Sequence, residues 1–163
     1  MDVAIFIGSD SDYDVIKGAL EILKKFQVTF RLEVTSAHRS PERTLKLISE
    51  AEKEGAGVMI AVAGKAAHLA GFVASHTILP VIGVPVESAS LNGLDALLST
   101  VQMPKGVPVA TMGLGKSGAV NAALLAVQIL GLKETSLAQK MREYRKDMAS
   151  QVENKSKKIQ ENL

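Results

Sequence analysis

The residues of this 163-residue chain that could do chemistry fall in three short segments: Gly8-Ser9-Asp10-Ser11-Asp12, Ser36-Ala37-His38-Arg39-Ser40-Pro41 and Ala63-Gly64-Lys65-Ala66-Ala67-His68-Leu69. Each follows a short apolar run and precedes a helical pattern. In the first segment a purely structural reading has Ser11 or Asp12 capping the next helix and Gly8 making the turn. A functional reading adds that helix N-termini attract anions and that serine hydroxyls bind phosphate. The neighbouring carboxylates Asp10, Asp12 and Asp14 repel phosphate but suit ribose hydroxyls. Ser9 and Ser11 are therefore assigned to hydroxyl or phosphate contacts, and Asp12 to a sugar hydroxyl. A cation at these aspartates is an alternative. A receiver-type site would want a further acid ending the third apolar run, however, and Ala61-Val62-Ala63-Gly64 offers none.

The second segment is the most informative. His38 sits in a loop after an apolar run rather than on an apolar face, which points to catalysis or ligand contact, and an imidazole titrates near neutrality. Arg39 beside it is a forked, permanently charged donor for phosphate or carboxylate, or simply half of a surface ion pair. In the third segment, Gly64 and small residues lead to His68. Backbone N–H groups in such a loop can hold a carboxylate or a CO2-like group; the plainer reading is a histidine bonded to a neighbouring loop. His76 is expected to be structural or exposed. No dinucleotide fingerprint, P-loop or hydrolase elbow is present.

These segments need elements to position them. Continuous apolar runs at 3–8, 30–34, 58–63, 81–86 and 107–112 read as strands covered on both faces. Between them, helical patterns span Asp14–Phe26, a segment capped by Ser40 with Pro41 at its first position and stopped by Gly55, Ala67–Ser75, Leu91–Thr100 and the nearly uncharged Ser117–Leu130. Alternating strands and helices predict a three-layer αβα sandwich, flavodoxin-like, with a five-stranded parallel sheet in the order 2-1-3-4-5. Ligands in such sheets bind beyond the carboxyl ends of the strands, where all three segments lie. Residues 1–132 form this body. Residues 133–163 form a C-terminal helical extension with Leu137, Met141, Tyr144, Met148 and Val152 on one stripe. It packs either on its own body or across a neighbouring subunit, and it is expected to fray beyond Val152.

Composition narrows the field. Hydrophobic residues make up 47% and charged residues 22%, which is globular. Cysteine is absent, removing disulfides, zinc–thiolate sites and thiol nucleophiles, and fitting a reducing cytosol. No run approaches membrane-span length, and the strand-like N-terminus lacks a basic leader, so neither a membrane nor a signal peptide is expected. Net charge is only +2, with the surplus in residues 133–163, and aromatics are 4%, so nucleic acid is not an expected partner.

Read together, GSDSD at 8–12, SAHRSP at 36–41, AGKAAHLAG at 63–71, GVPV at 83–86, VQMPKGVPV at 101–109 and NAALLAVQIL at 121–130 resemble the N5-carboxyaminoimidazole ribonucleotide mutase family, also called the catalytic subunit of phosphoribosylaminoimidazole carboxylase. The resemblance covers roughly residues 2–150. It implies a flavodoxin-like octamer whose C-terminal helices reach neighbouring subunits, a cytoplasmic role in purine synthesis, and no metal or cofactor. It implies movement of a carboxylate from the exocyclic nitrogen to C4 of a nucleotide's imidazole. By that likeness Ser9, Ser11 and Asp12 match the nucleotide loop. Ser36, Ala37, His38 and Arg39 match the catalytic loop, with His38 as general acid/base and Arg39 on the phosphate. Gly64, Ala66, His68 and Leu69 match the loop beside the migrating carboxyl group. Lys65 departs from a usual glycine, Ala70 from a common proline, and Asp10 from a common lysine. A related branch uses free CO2 and resembles SAHK in the second loop, without the AAHL histidine; Arg39 and Ala67-His68-Leu69 favour the mutase branch. A non-enzymatic flavodoxin-like binding module is the reading from another class.

Overall fold

Strand pairing begins at β1 (Val3–Ile7), which is flanked on both sides by parallel neighbours. The computed structural model describes residues 1–88 and 91–163. Along the chain follow α1 (Tyr13–Lys25), β2 (Phe30–Val34), α2 (Pro41–Lys53), β3 (Val58–Gly64), α3 (Leu69–Ala74), β4 (Val81–Val86), α4 (Leu94–Val101), β5 (Ala110–Thr111), α5 (Gly115–Leu130) and α6 (Thr135–Gln160). The sheet is entirely parallel in the order β2-β1-β3-β4-β5, as the alternation predicts.

The unbroken apolar runs have a direct cause. Val3, Ile5 and Ile7 of β1, with Val58, Ile60 and Val62 of β3, face a core shared with α1, α5 and the start of α6. Ala4 and Phe6, with Met59 and Ala61, face a second core under α2 and α3. Successive strand side chains point to opposite faces, so a sheet covered on both sides needs apolar residues at every position. β2 lies at an edge and is only partly covered, which admits Arg31 and Glu33.

Several boundaries differ from the sequence reading. The first helix is preceded by a single 3-10 turn at Asp10–Asp12, whose cap is Ser9; Asp12, one of the two expected candidates, occupies the N-cap position of α1 but makes no side-chain cap bond there. Ser40 does occupy the N-cap position of α2 with Pro41 in the first turn, but its hydroxyl makes no cap bond. α3 starts at Leu69, after the third loop, and α4 starts at Leu94 because Asn92 and Gly93 take left-handed backbone. The fifth strand keeps only Ala110 and Thr111 of the expected 107–112. It sits at the other sheet edge, and Pro108 has no N–H to give a ladder.

α6 docks through Leu137 and Met141, and Tyr144 packs on Phe26 with ring centroids 5.6 Å apart. Met148 and Val152, further along the stripe, are exposed. The helix does not end at Val152 but continues to Gln160. Among the described residues, no helix is long and apolar enough to cross a membrane.

Candidate functional site

The strands end nearly abreast, and this brings the loops together. Ile7 pairs with Val34 on one side and Val62 on the other, and Gly64 pairs with Val86. The ladder continues into the loops: the Gly8 N–H donates to Val62 O (2.9 Å) and the Thr35 N–H to Ile7 O (2.9 Å). Over this row of strand ends lies a cleft of about 650 Å³. It is lined by Gly8, Ser9, Ser11 and Asp12 from the first loop, Ser36 to Arg39 from the second, and Ala63 to Ala66 with Leu69 from the third.

In the first loop, Ser9 and Asp12 form a reciprocal capping box. The Ser11 N–H donates to Ser9 Oγ (3.3 Å), and the Ser9 N–H donates to Asp12 Oδ2 (3.1 Å). Ser11 Oγ lies 3.0 Å from Ser9 Oγ, so the two hydroxyls stand side by side at the cleft. Asp12 is buried. Burial raises its carboxyl above the usual aspartate range, the Ser9 N–H opposes that rise, and the nearby Asp10 charge adds to it. Asp10 accepts from Ser9 Oγ and the Ser11 N–H, whereas Asp14 pairs with Lys17 on the exposed side of α1. The three aspartates thus serve different partners. Among the described residues no group of three or more His, Cys, Asp or Glu gathers as metal ligands.

The second loop is braced from below. Thr35 and Thr44 are buried and share a hydroxyl–hydroxyl bond of 2.8 Å, while Thr44 also donates to Ser40 O. Ser40 Oγ accepts from the Ser36 N–H (3.1 Å), and Ser36 Oγ accepts from the Arg39 N–H (3.2 Å). This explains why Ser40 does not cap α2: its hydroxyl holds the loop instead. The braced loop leaves His38 and Arg39 exposed. Arg39 Nη2 donates to Gly8 O (3.0 Å), fixing the guanidinium across the first loop.

The third loop is a tight pair of turns in which the Ala67 N–H donates to Lys65 O and the His68 N–H to Ala66 O, both 2.8 Å. It needs a left-handed residue, and Lys65 takes that conformation at φ 55°. The turns carry His68 to the second loop. His38 Nε2 and His68 Nδ1 are 2.9 Å apart, and the rings meet edge to face. One of those nitrogens must carry the hydrogen and the other must accept it. The two neutral rings therefore share one tautomer, both carrying the hydrogen on Nε2 or both on Nδ1. His68 does not itself line the cleft; it backs His38, which does.

Two features escaped the sequence reading. Val86, Glu87 and Ser88 at the end of β4 complete the lining, and the rule that placed the first three loops applies equally to them. The Thr35–Thr44 pair left no sequence signal, because a threonine in an amphipathic helix reads as surface. His76 is exposed, with Nδ1 on Phe72 O (2.8 Å) and Ser75 Oγ (2.9 Å), away from the cleft.

A family model described as AIR carboxylase matches residues 2–151. The chain belongs to the AIR carboxylase family. It is 53% identical over 159 residues to the N5-carboxyaminoimidazole ribonucleotide mutase of Pyrococcus horikoshii, covering 98% of this chain and 89% of that one. It is 48% identical over 150 residues to the protein of the same name from Escherichia coli K12, covering 92% and 89%. The crystal structure of Treponema denticola PurE superposes with a TM-score of 0.87 at 29% identity, covering 96% of each chain. In this AIR carboxylase family member, the cleft offers two hydroxyls, a half-buried loop backbone, a guanidinium and a paired imidazole. That set can bind a phosphorylated sugar and move a proton.

Proposed function

We propose that the chain is an N5-carboxyaminoimidazole ribonucleotide mutase, acting on a phosphorylated ribonucleotide in the cleft at the strand ends. The observation that carries the reading is the His38–His68 contact, which orients an imidazole at a cleft otherwise built of hydroxyls, small residues and a few charged groups. Ser9, Ser11 and Asp12 take the ribose and phosphate oxygens. Arg39 takes the phosphate, with Ser36 and Ala37 lining its side of the cleft. Gly64, Ala66 and Leu69 border the carboxyl group; His68, expected beside it as well, instead stands behind His38.

The reaction breaks a carbamate N–C bond and forms a C–C bond. His38 donates a proton to the departing nitrogen, and CO2 is released within the cleft. The electron-rich C4 of the imidazole attacks that CO2. The resulting C4 carries both a hydrogen and the new carboxylate, and His38 takes the hydrogen as a proton, which restores the aromatic ring. The proton given in the first step is recovered in the last, so the histidine ends as it began, and no electrons or phosphoryl groups are exchanged. Holding CO2 beside C4 replaces a capture from dilute solution with a step between neighbours.

Residues 133–163 are assigned to contacts between copies of the chain in a cytoplasmic homo-octamer; the exposed Met148 and Val152 support this. One assay tests the activity. Purified protein is given the carbamate, or aminoimidazole ribonucleotide with bicarbonate. Turnover of the carbamate is expected, and its loss in His38→Asn with nucleotide binding retained. Turnover only with bicarbonate would replace the mutase by a CO2-using carboxylase. No turnover with either leaves a binding module, for which magnesium titration of the aspartates is the next measurement.

A further inference from the structure

Lys65 is a lysine where the backbone favours glycine. Its φ of 55° lies in the left-handed region, where a side chain crowds its own backbone. Residues held in such conformations concentrate at ligand sites, because the surrounding structure keeps them there. The surroundings here are the two tight turns to Ala67 and His68. Lys65 lines the cleft, is exposed, and makes no ion pair with a carboxylate among the described residues.

The charges around the cleft give this cation a purpose. Apart from His38, the ionisable groups lining it among the described residues are Asp12, Arg39, Lys65 and Glu87. Arg39 is the other fixed cation of that set, and it is tied to Gly8 O on the side of the cleft formed after β2 and β1. Lys65 leaves from β3, on the far side of β1 from β2. Neighbouring strands are roughly 5 Å apart, so the two loops rise about 10 Å from one another. A ribonucleotide carrying a phosphate at one end and a carboxylate at the other presents two anionic ends on opposite sides of its ribose. Without Lys65, one guanidinium would face two protein carboxylates and both of those ends.

We infer that Lys65 binds the carboxylate end of the ligand and sets the cleft's preference for carboxylated over uncarboxylated ribonucleotide. This rests on the function proposed above. Arg39 and Lys65 then divide the ligand's charge between them, one at the phosphate and one beside the His38–His68 pair.

Calorimetric titration tests it with two probes, 4-carboxy-5-aminoimidazole ribonucleotide and the same ribonucleotide without the carboxylate. Lys65→Gln and Lys65→Gly should each weaken the carboxylated probe about tenfold, the scale of one charge-assisted hydrogen bond. The uncarboxylated probe should stay within about twofold, and Lys65→Arg should recover most of the loss. Lys65→Gly also relieves the left-handed strain, so it serves as the variant whose folding is not in question. Equal weakening of both probes would place Lys65 at the phosphate or in the general field, and no weakening would place it in solvent; either overturns the inference. Wild-type protein that binds neither probe overturns the proposed function itself and the inference with it.

Discussion

Replacing His68 by phenylalanine keeps a flat ring beside His38 but removes the nitrogen 2.9 Å from its Nε2. His38 then loses the partner that orients its ring while keeping its own chemistry. A neutral hydrogen bond contributes about 0.5–1.5 kcal/mol, so kcat should fall by roughly two- to tenfold. Removing the proposed acid/base itself in His38→Asn should cost about 10²–10⁴. KM should change little in His68→Phe, since His68 does not line the cleft and the residues assigned above to phosphate and ribose lie in the other two loops. The double variant is the sharper measurement. With no imidazole left to orient, adding His68→Phe to His38→Asn should lower the residual rate by less than about twofold, a non-additivity expected of groups acting as a unit. Both rings are exposed, so urea midpoints should shift by no more than about 0.5 kcal/mol equivalent. Steady-state rates of the four proteins on the carbamate decide it. Fully multiplicative losses would show that His68 acts independently of His38, and an unchanged kcat in His68→Phe would show that the contact has no catalytic consequence.

Three further outcomes follow from the same geometry. Thr44→Val leaves the buried Thr35 hydroxyl only a long 3.5 Å contact with Ser40 Oγ and should cost about 1–3 kcal/mol in denaturant unfolding, against a few tenths for a surface threonine. In Gly83→Ala the new methyl would sit 2.5 Å from Thr100 Cγ2 and 2.9 Å from Val109 Cγ1, an overpacking of about 1–3 kcal/mol. Thr100→Ser, which deletes that Cγ2 and keeps the hydroxyl bonded to Ala96 O, should recover part of it. Asp12 is held above its ordinary 3.8 chiefly by burial, so its contribution favours the folded chain below 3.8 and is lost as pH rises through its folded value. The stability difference between wild type and Asp12→Asn should therefore move against wild type from about pH 3.8 upward, and a difference flat with pH would contradict the burial argument.

Much of this architecture can be read from residue order, and the reasons are local. The strands of the sheet centre announce themselves because both faces are covered, as Val3 to Ile7 and Val58 to Val62 are. β5 announces itself at 107–112 but not its length, because an edge position lets Val107 to Val109 keep apolar character without a ladder. The three cleft loops follow from topology alone, and so would Glu87 and Ser88 had β4 been treated like its neighbours. The plainer reading of His68, a histidine bonded to a neighbouring loop, holds, but that its partner is His38 has no signature in sequence. Thirty positions separate them, and only the tight turns at Lys65 and Ala66 swing one ring onto the other. The cap was legible only in part: Ser9, Ser11 and Asp12 are all good capping residues, and the 3-10 turn at Asp10–Asp12 takes Ser9 as its own cap and leaves Asp12 at the N-cap of α1.

The ladder that runs on past the strands at Gly8 and Thr35 has a consequence for how the cleft meets a ligand. The floor is a continuation of the innermost sheet, so those two amides should resist exchange with deuterated solvent until the whole domain opens. A bound nucleotide then orders side-chain rotamers at the rim but very little main chain. Its affinity is accordingly spared the entropy that a floppy phosphate-gripping loop would forfeit on binding.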